Sequence, residues 1–493
     1  MNSLAKSSFI REITLYRFRY VIGYGFFTVL LFSLLLFGLN DFPRGLSDNE
    51  MKSAVTSVHI NVLAPKANNV IDAPYHLLQK ATIQLFGLTP LAIKLPSVIL
   101  GVVSGLALII MLQRWFKRNV AVITAILIST STGFISVARL GEPLIMTTFW
   151  TIILLLASTF VLHGSRASFM WKIVCFLSVG LLLYSPLGIY PLIAMLVAGV
   201  LHPHVRHRLK QGKWWQFTVI AVAFGVAVTP LIVAIVNNVQ VGLELLGISN
   251  LSITFDRLYD AARTVSLSLF NFTQSHIGEF STPLFGLISA TLLLLGVLKL
   301  FTVKHSARSY MLFIWLALLV PVLLLNPSAV LMTIAPAALI MAIGVETLIR
   351  EWYGLFPRNP YARIAALVPL TILLASVVMT NVERYYYNNH YSPAMSHVFH
   401  AELPVVRSAL GRNDINHGKM QLVVPDNQVA FYDILRREYK NLSVSPGLSE
   451  AGSKGTLLVT ANSPEQPAGL VPYRILTNDL STDAALLRIY TSW

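Results

Sequence analysis

Charge is what this 493-residue chain has least of: Asp, Glu, Lys and Arg together make up 12% of it. Soluble globular domains carry roughly twice that share. The scarcity excludes an ordinary soluble enzyme of this length. Disorder is excluded too, because 55% of the residues are hydrophobic and such a chain has ample apolar surface to bury. Cysteine occurs once, at Cys175, so there is no disulfide framework. Glycine-rich loops of the Walker or dinucleotide type are missing as well. What is present in quantity is long apolar runs, and their number points to a polytopic membrane protein.

Runs near the ~20 residues that a helix needs to cross a bilayer fall at 21–39, 91–112, 119–136, 144–162, 173–184, 187–201, 215–236, 283–300, 309–325, 329–348 and 364–380. The sequence therefore predicts about eleven spans, with Ser185-Pro186 breaking the chain between the fifth and sixth. No small-residue cleavage site follows the first run, which reads as a retained span and not a signal peptide. The net charge of +15 sorts by side. With the N-terminus cytoplasmic, six inner segments collect 19 of the 37 Lys and Arg, with three acids, and the outer side is close to neutral. That is the positive-inside pattern, so the excess charge reports topology and not nucleic-acid binding.

Three outer segments are longer than connectors: 40–90, 237–282 and 381–493. The first holds an amphipathic stretch, Pro74–Phe86, with Leu77, Leu78, Ala81, Leu85 and Phe86 at helical spacing, which is expected to lie along the interface. The last predicts a small α/β domain, with strands at Met420–Pro425, Leu457–Thr460 and Leu486–Tyr490 and a helix at Asn427–Asn441. Residues 1–380 would then form the transmembrane domain and 381–493 the extracytoplasmic one.

No span carries an acid at mid-depth, where ion-coupled transporters usually keep one. Acids gather at the outer surface instead: Asp41, Asp48, Glu50, Asp72 and Glu142. Asp48 and Glu50 follow the turn Pro43-Arg44-Gly45 and open a predicted helix. Carboxylates there favour the helix dipole and cap it; alternatively one of them is a general base for a hydroxyl nucleophile. The turn Ser136–Pro143 contains Arg139 and Glu142. Arg139 is the one Lys or Arg in any short outer loop, suited either to bidentate phosphate binding or to a local pair with Glu142. Segment 237–282 carries Arg257, Arg263 and Glu279 among other charges. It is expected either to cover the site and supply a phosphate-binding Arg, or to present solvated charges at the interface.

These stretches are similar, in order and spacing, to the GT-C fold glycosyltransferases that use polyprenyl-phosphate sugars, such as protein O-mannosyltransferases and the lipid A aminoarabinose transferase. The resemblance covers about the first 160 residues. It rests on Asp48-Asn49-Glu50, then Ala73-Pro74-Tyr75-His76-Leu77-Leu78, Leu85-Phe86-Gly87, Ile93-Lys94-Leu95-Pro96-Ser97 and the Ala138–Pro143 turn. It implies an all-α polytopic membrane fold of about 11 transmembrane helices with a small extracytoplasmic α/β C-terminal domain, in a bacterial plasma membrane. It also implies transfer of a sugar from a polyprenyl-phosphate donor to a hydroxyl of a lipid, glycan or protein acceptor, with inversion. Asp48 would be the base, assisted by Glu50 and Glu142. Arg139, Asp72, His76, Arg257 and Arg263 would surround the donor. Two departures stand out. Asn49 replaces the second acid of the usual pair, and Asp72 occupies a place where relatives often carry Lys or His. No cofactor motif is present, but Asp48, Glu50, Asp72 and His76 form a candidate divalent-metal cluster. The alternative functions are a translocase for lipid-linked sugars or polysaccharides, or a glycan polymerase or ligase fed by a lipid-linked oligosaccharide.

Overall fold

The computed structural model describes residues 21–61, 70–163, 168–201, 214–248, 254–270, 276–302, 307–355, 361, 365, 367–392, 395, 398–412, 419–448, 455–460, 463, 467, 471–477 and 485–491. Most of the basic stretches that set the expected topology, including 1–20, 202–213, 303–306 and 356–360, lie outside them.

Each of the eleven expected spans contains helix. Among the described residues, five helices are long and apolar enough to cross a membrane, and one bent pair brings this to six. The shorter apolar helices are Val21–Leu36, Ser168–Leu182, Ile189–Leu201 and Leu287–Thr302. Large apolar side chains such as Phe26, Trp214, Val226 and Ile372 are exposed on these helices, as expected where the surrounding medium is hydrocarbon.

Seven helices build the surroundings of the outer acids: α1 (Val21–Leu36), α2 (Asp48–His59), α3 (Ala73–Phe86), α4 (Pro90–Trp115), α5 (Arg118–Ser129), α6 (Thr132–Arg139) and α7 (Ile145–Leu162). Helix α4 is central and packs on α3, α5, α6 and α7. The expected third span, 119–136, is not straight: α5 and α6 meet at 59°. Ser131 explains the break. Its hydroxyl donates to Ile128 O at 2.6 Å and accepts from Phe134 N at 3.3 Å, closing one helix and capping the next. Helix α6 is thereby turned inward, with every residue from Thr132 to Arg139 buried.

Helix α3 forms where the amphipathic spacing predicts it, but its apolar face points outward. Leu77, Leu78, Leu85 and Phe86 are exposed, while Tyr75, His76, Gln79 and Ile83 are buried. A helix lying at a membrane interface meets lipid on its outer side, so its polar residues are the ones turned to the protein.

The C-terminal region contains the expected strands and more. Two short pairs precede the main sheet: β1 (Leu46–Ser47) with β4 (Phe399–His400), and β2 (His276–Ile277) with β3 (Phe280–Ser281), both antiparallel. The main sheet comprises β5 (Lys419–Val423), β6 (Leu442–Ser445), β7 (Gly455–Thr460), β8 (Arg474–Thr477) and β9 (Ala485–Thr491), in the order β6-β5-β7-β9-β8. Strand β5 runs parallel to β6 and β7, and β9 antiparallel to β7 and β8. The expected helix at 427–441 is shorter: it spans Asp426–Tyr432 and tightens into a 3-10 turn, Asp433–Arg437, ahead of β6.

Candidate active site

The outer loop after α1 is held by two buried cations. Arg139, fully buried, donates from Nη1 to Leu34 O (3.1 Å), Phe37 O (2.7 Å) and Tyr386 Oη (2.8 Å). Its Nη2 donates to Gly38 O (2.9 Å) and Phe42 O (2.8 Å). These carbonyls terminate α1, where helices leave acceptors unsatisfied and favour positive charge. Lys94, also fully buried, donates from Nζ to Gly45 O at 2.8 Å and Pro43 O at 3.2 Å. The loop is thus fixed at residues 34 to 45 before Asp48 is reached.

Residues 47–50 form a complete capping box. Ser47 Oγ accepts from Glu50 N at 3.1 Å, and Glu50 Oε2 accepts from Ser47 N at 2.9 Å. Glu50 also reaches across to the next outer turn, where its Oε1 accepts from Gly141 N at 2.5 Å. Gln79 of α3 ties the same turn by donating to Gly141 O at 2.9 Å and to Ile93 O at 3.0 Å. Glu142 Oε1 accepts from Ser47 Oγ at 3.1 Å. Glu142 also lies within hydrogen-bonding reach of Glu279, whose carboxyl accepts from Asn49 Nδ2 at 3.0 Å. Asp48, Glu50, Glu142 and Glu279 therefore gather around one capping turn.

Their environments differ. The Asp48 side chain is 49% exposed, and His400 Nε2 lies 3.2 Å from its Oδ1. Glu50 and Glu142 are enclosed, at 0% and 5% exposure. Burial raises the Glu50 carboxyl above the usual range, outweighing the opposing Lys94 charge and the Gly141 and Ser47 N–H donors. Burial, then the nearby Glu279 carboxyl, pushes Glu142 well up. Two carboxyls this close do not both ionise readily.

Several expected site residues are placed differently. Arg139 is not open to a phosphate, because its Nη groups are spent on the carbonyls that end α1. Glu50 and Glu142 are enclosed and bonded into the turn. His76, 6% exposed, contacts Ser57 Oγ through Nδ1 at 2.8 Å, and burial lowers it to about 4. Asp72, also 6% exposed, precedes α3 beside Ser185 of the broken fifth and sixth spans, and burial pushes it up to about 7. Among the described residues no three His, Cys, Asp or Glu side chains form a group able to hold a metal. Asp48, Glu50, Asp72 and His76 are thus not a metal cluster: Asp72 lies beside Ser185 and His76 beside Ser57, and neither groups with Asp48 and Glu50. Arg257 and Arg263 are exposed on the helix Phe255–Phe270. Of segment 237–282, Glu279 reaches the capping turn, through Asn49 and Glu142. An apolar cleft lined by Ile123, Leu127, Ile288, Leu292 and Val345 among others lies between spans and offers no acid.

His400 had no sequence signal, lying far from the first loop in the chain. Lys94 was visible only as part of the Ile93–Ser97 stretch, and its task as a carbonyl clamp was not.

Comparison with known proteins bears on this geometry. The family described as dolichyl-phosphate-mannose-protein mannosyltransferase matches residues 74–233. No curated protein matches the whole sequence significantly. Among solved structures, ArnT from Cupriavidus metallidurans in the apo state superposes with a TM-score of 0.51 at 13% identity, covering 95% of this chain and 97% of that one. The same enzyme bound to undecaprenyl phosphate gives 0.50 at 13% identity, covering 96% and 98%. The Archaeoglobus fulgidus oligosaccharyltransferase tethered to an acceptor peptide gives 0.50 at 12% identity, covering 85% of this chain and 63% of that one. At such identities the likeness is one of fold. Together with the apolar helices, it makes this chain a multi-pass membrane protein of the GT-C fold.

Proposed function

We propose that the protein is a glycosyltransferase that moves a sugar from a polyprenyl phosphate to an acceptor hydroxyl at the extracytoplasmic face, with Asp48 as general base. The carrying observation is the contrast among the gathered acids. Glu50 and Glu142 are sealed into the turn, while Asp48 stands half exposed at its rim. The fold shared with an enzyme solved with undecaprenyl phosphate supports the donor class. The buried supports hold the loop so that the Asp48 carboxylate is aimed before substrate arrives, which favours catalysis by positioning.

In this reading the donor's tail lies in the bilayer and its sugar reaches the outer surface. Asp48 takes the acceptor hydroxyl proton as the oxygen attacks the anomeric carbon from the face opposite the phosphate. The anomeric carbon–oxygen bond breaks, the electron pair leaves with the phosphate, and configuration inverts. Because the Arg139 Nη groups are committed to backbone carbonyls and Tyr386, we assign the phosphate's partner to Arg257 or Arg263 on the exposed helix Phe255–Phe270.

The test is Asp48→Asn in purified protein reconstituted with a panel of undecaprenyl-phosphate-linked hexoses and pentoses. Turnover is expected to fall by roughly 10²–10⁴, with the melting profile unchanged. Near-normal transfer by the variant would remove Asp48 from the base role.

A further inference from the structure

A residue that follows the last span in the chain reaches Asp48. After the last span, β4 pairs with β1 so that Leu46 lies opposite His400 and Ser47 opposite Phe399. Gly45 makes the approach feasible: its φ is +82°, and a Cβ there would stand 2.0 Å from the His400 carbonyl oxygen. Lys94 Nζ lies 6.0 Å from the centroid of the Phe399 ring, tying the same strand to the clamped loop. The pairing carries the His400 imidazole over the first residue of α2, where its Nε2 stands 3.2 Å from Asp48 Oδ1. That oxygen is enclosed and takes no aligned hydrogen bond. The imidazole is itself mostly covered, at 19% exposure.

We propose that His400 is a positioning residue for Asp48: the imidazole, delivered by the β1–β4 pair, fixes the carboxylate rotamer through Oδ1 and leaves Oδ2 to receive the acceptor's proton. The inference rests on the reading of Asp48 as base. Neutral imidazole, packed 3.2 Å from Oδ1, restricts the carboxylate without taking its proton, so the proton balance of transfer is unchanged. A charged imidazolium would pair with the carboxylate and weaken it as a base. The other ionisable groups around the pair are Glu50 on α2, Lys94 on α4, Glu142 between α6 and α7, and Glu279 on the β2–β3 hairpin.

The test uses His400→Ala, His400→Gln, Asp48→Asn and the double variant D48N/H400A in the full-length protein. Gln keeps a donor near the Nε2 position. With the undecaprenyl-phosphate-linked sugar panel, His400→Ala is expected to lower kcat about 10- to 100-fold and to leave the donor KM within about threefold. His400→Gln should recover most of that loss. D48N/H400A should be no slower than Asp48→Asn, since His400 acts through Asp48. A second measurement reads the pair without turnover: labelling of Asp48 by carbodiimide and glycine ethyl ester, followed by peptide mass spectrometry from pH 5 to 8. His400→Ala should raise the labelling rate and change its pH dependence. Unchanged labelling, or equal losses for Ala and Gln, overturns the positioning role. Changed labelling with active Asp48→Asn leaves the pair standing and overturns the base reading instead.

Discussion

Asp72 and His76, one helical turn apart, respond to pH with opposite sign. Burial pushes Asp72 up to about 7, so the folded protein binds more protons than the unfolded chain between roughly pH 4 and 7. Stability contributed there is present at low pH and lost as pH rises through that window. His76 is lowered to about 4, so the unfolded chain binds more protons between about pH 4 and 6.5, and stability is lost as pH falls. Asp72→Asn is therefore expected to stabilise the protein most at pH 7 and above, by an upper limit of about 4 kcal/mol, and hardly at all near pH 4. His76→Gln should do the reverse, relieving the loss at acid pH. Detergent-solubilised thermal melts across pH 4–8 check both, and parallel shifts at every pH would count against the burial argument. Little of this was legible in the sequence. Asp72 and His76 entered the candidate site through the family resemblance and as possible metal ligands, but whether such a group faces a substrate or a neighbour depends on which face of α3 turns inward.

At the scale of elements, helix boundaries were legible where apolar runs end and where Ser185-Pro186 breaks the chain, but the break at Ser131 was not. Orientation was not. The bend between α5 and α6 turns Arg139 from an outer loop into the interior, where it closes the end of α1. Its planar fork serves four carbonyls and Tyr386 at once, and the guanidinium lies 5.2 Å from the Tyr386 ring centroid. A lysine ammonium has three donors and no plane to stack. Arg139→Lys is accordingly expected to cost about 2–5 kcal/mol of stability, seen as a lower melting temperature. The phosphate reading predicts a different pattern, with normal stability and a raised donor KM. Measuring both quantities on one variant separates a clamp from a ligand.

For the whole molecule, the apolar runs and the one-sided charge implied the membrane topology, and they also imply which side holds the site. With Cys175 replaced by Ser, a cysteine at position 52, on the exposed side of α2, should react with an impermeant maleimide added outside intact cells. Reaction only after lysis would place the site inside and remove the donor geometry proposed above. What could not be read from sequence is that the first outer loop meets the segment after the last span, since a two-residue strand pair has no periodicity to detect. Arg407 and Glu438 reinforce that meeting by holding Leu88, through Leu88 O at 2.8 Å and Leu88 N at 3.0 Å. Gly45→Ala isolates its contribution. The added Cβ would overlap the His400 carbonyl, so the β1–β4 pair should open while the five-stranded sheet, anchored through Arg407 and Glu438, stays folded. Hydrogen exchange should rise at residues 46–47 and 399–400 and remain unchanged at 419–423 and 455–460, with transfer falling at least about tenfold as Asp48 loses its fixed aim. Gly25→Ala, where nothing lies within 4 Å of the new methyl, serves as the control. Unchanged exchange at 399–400 in Gly45→Ala would mean that the C-terminal segment holds its place without the strand pair, and that Asp48 is aimed by the buried clamps alone.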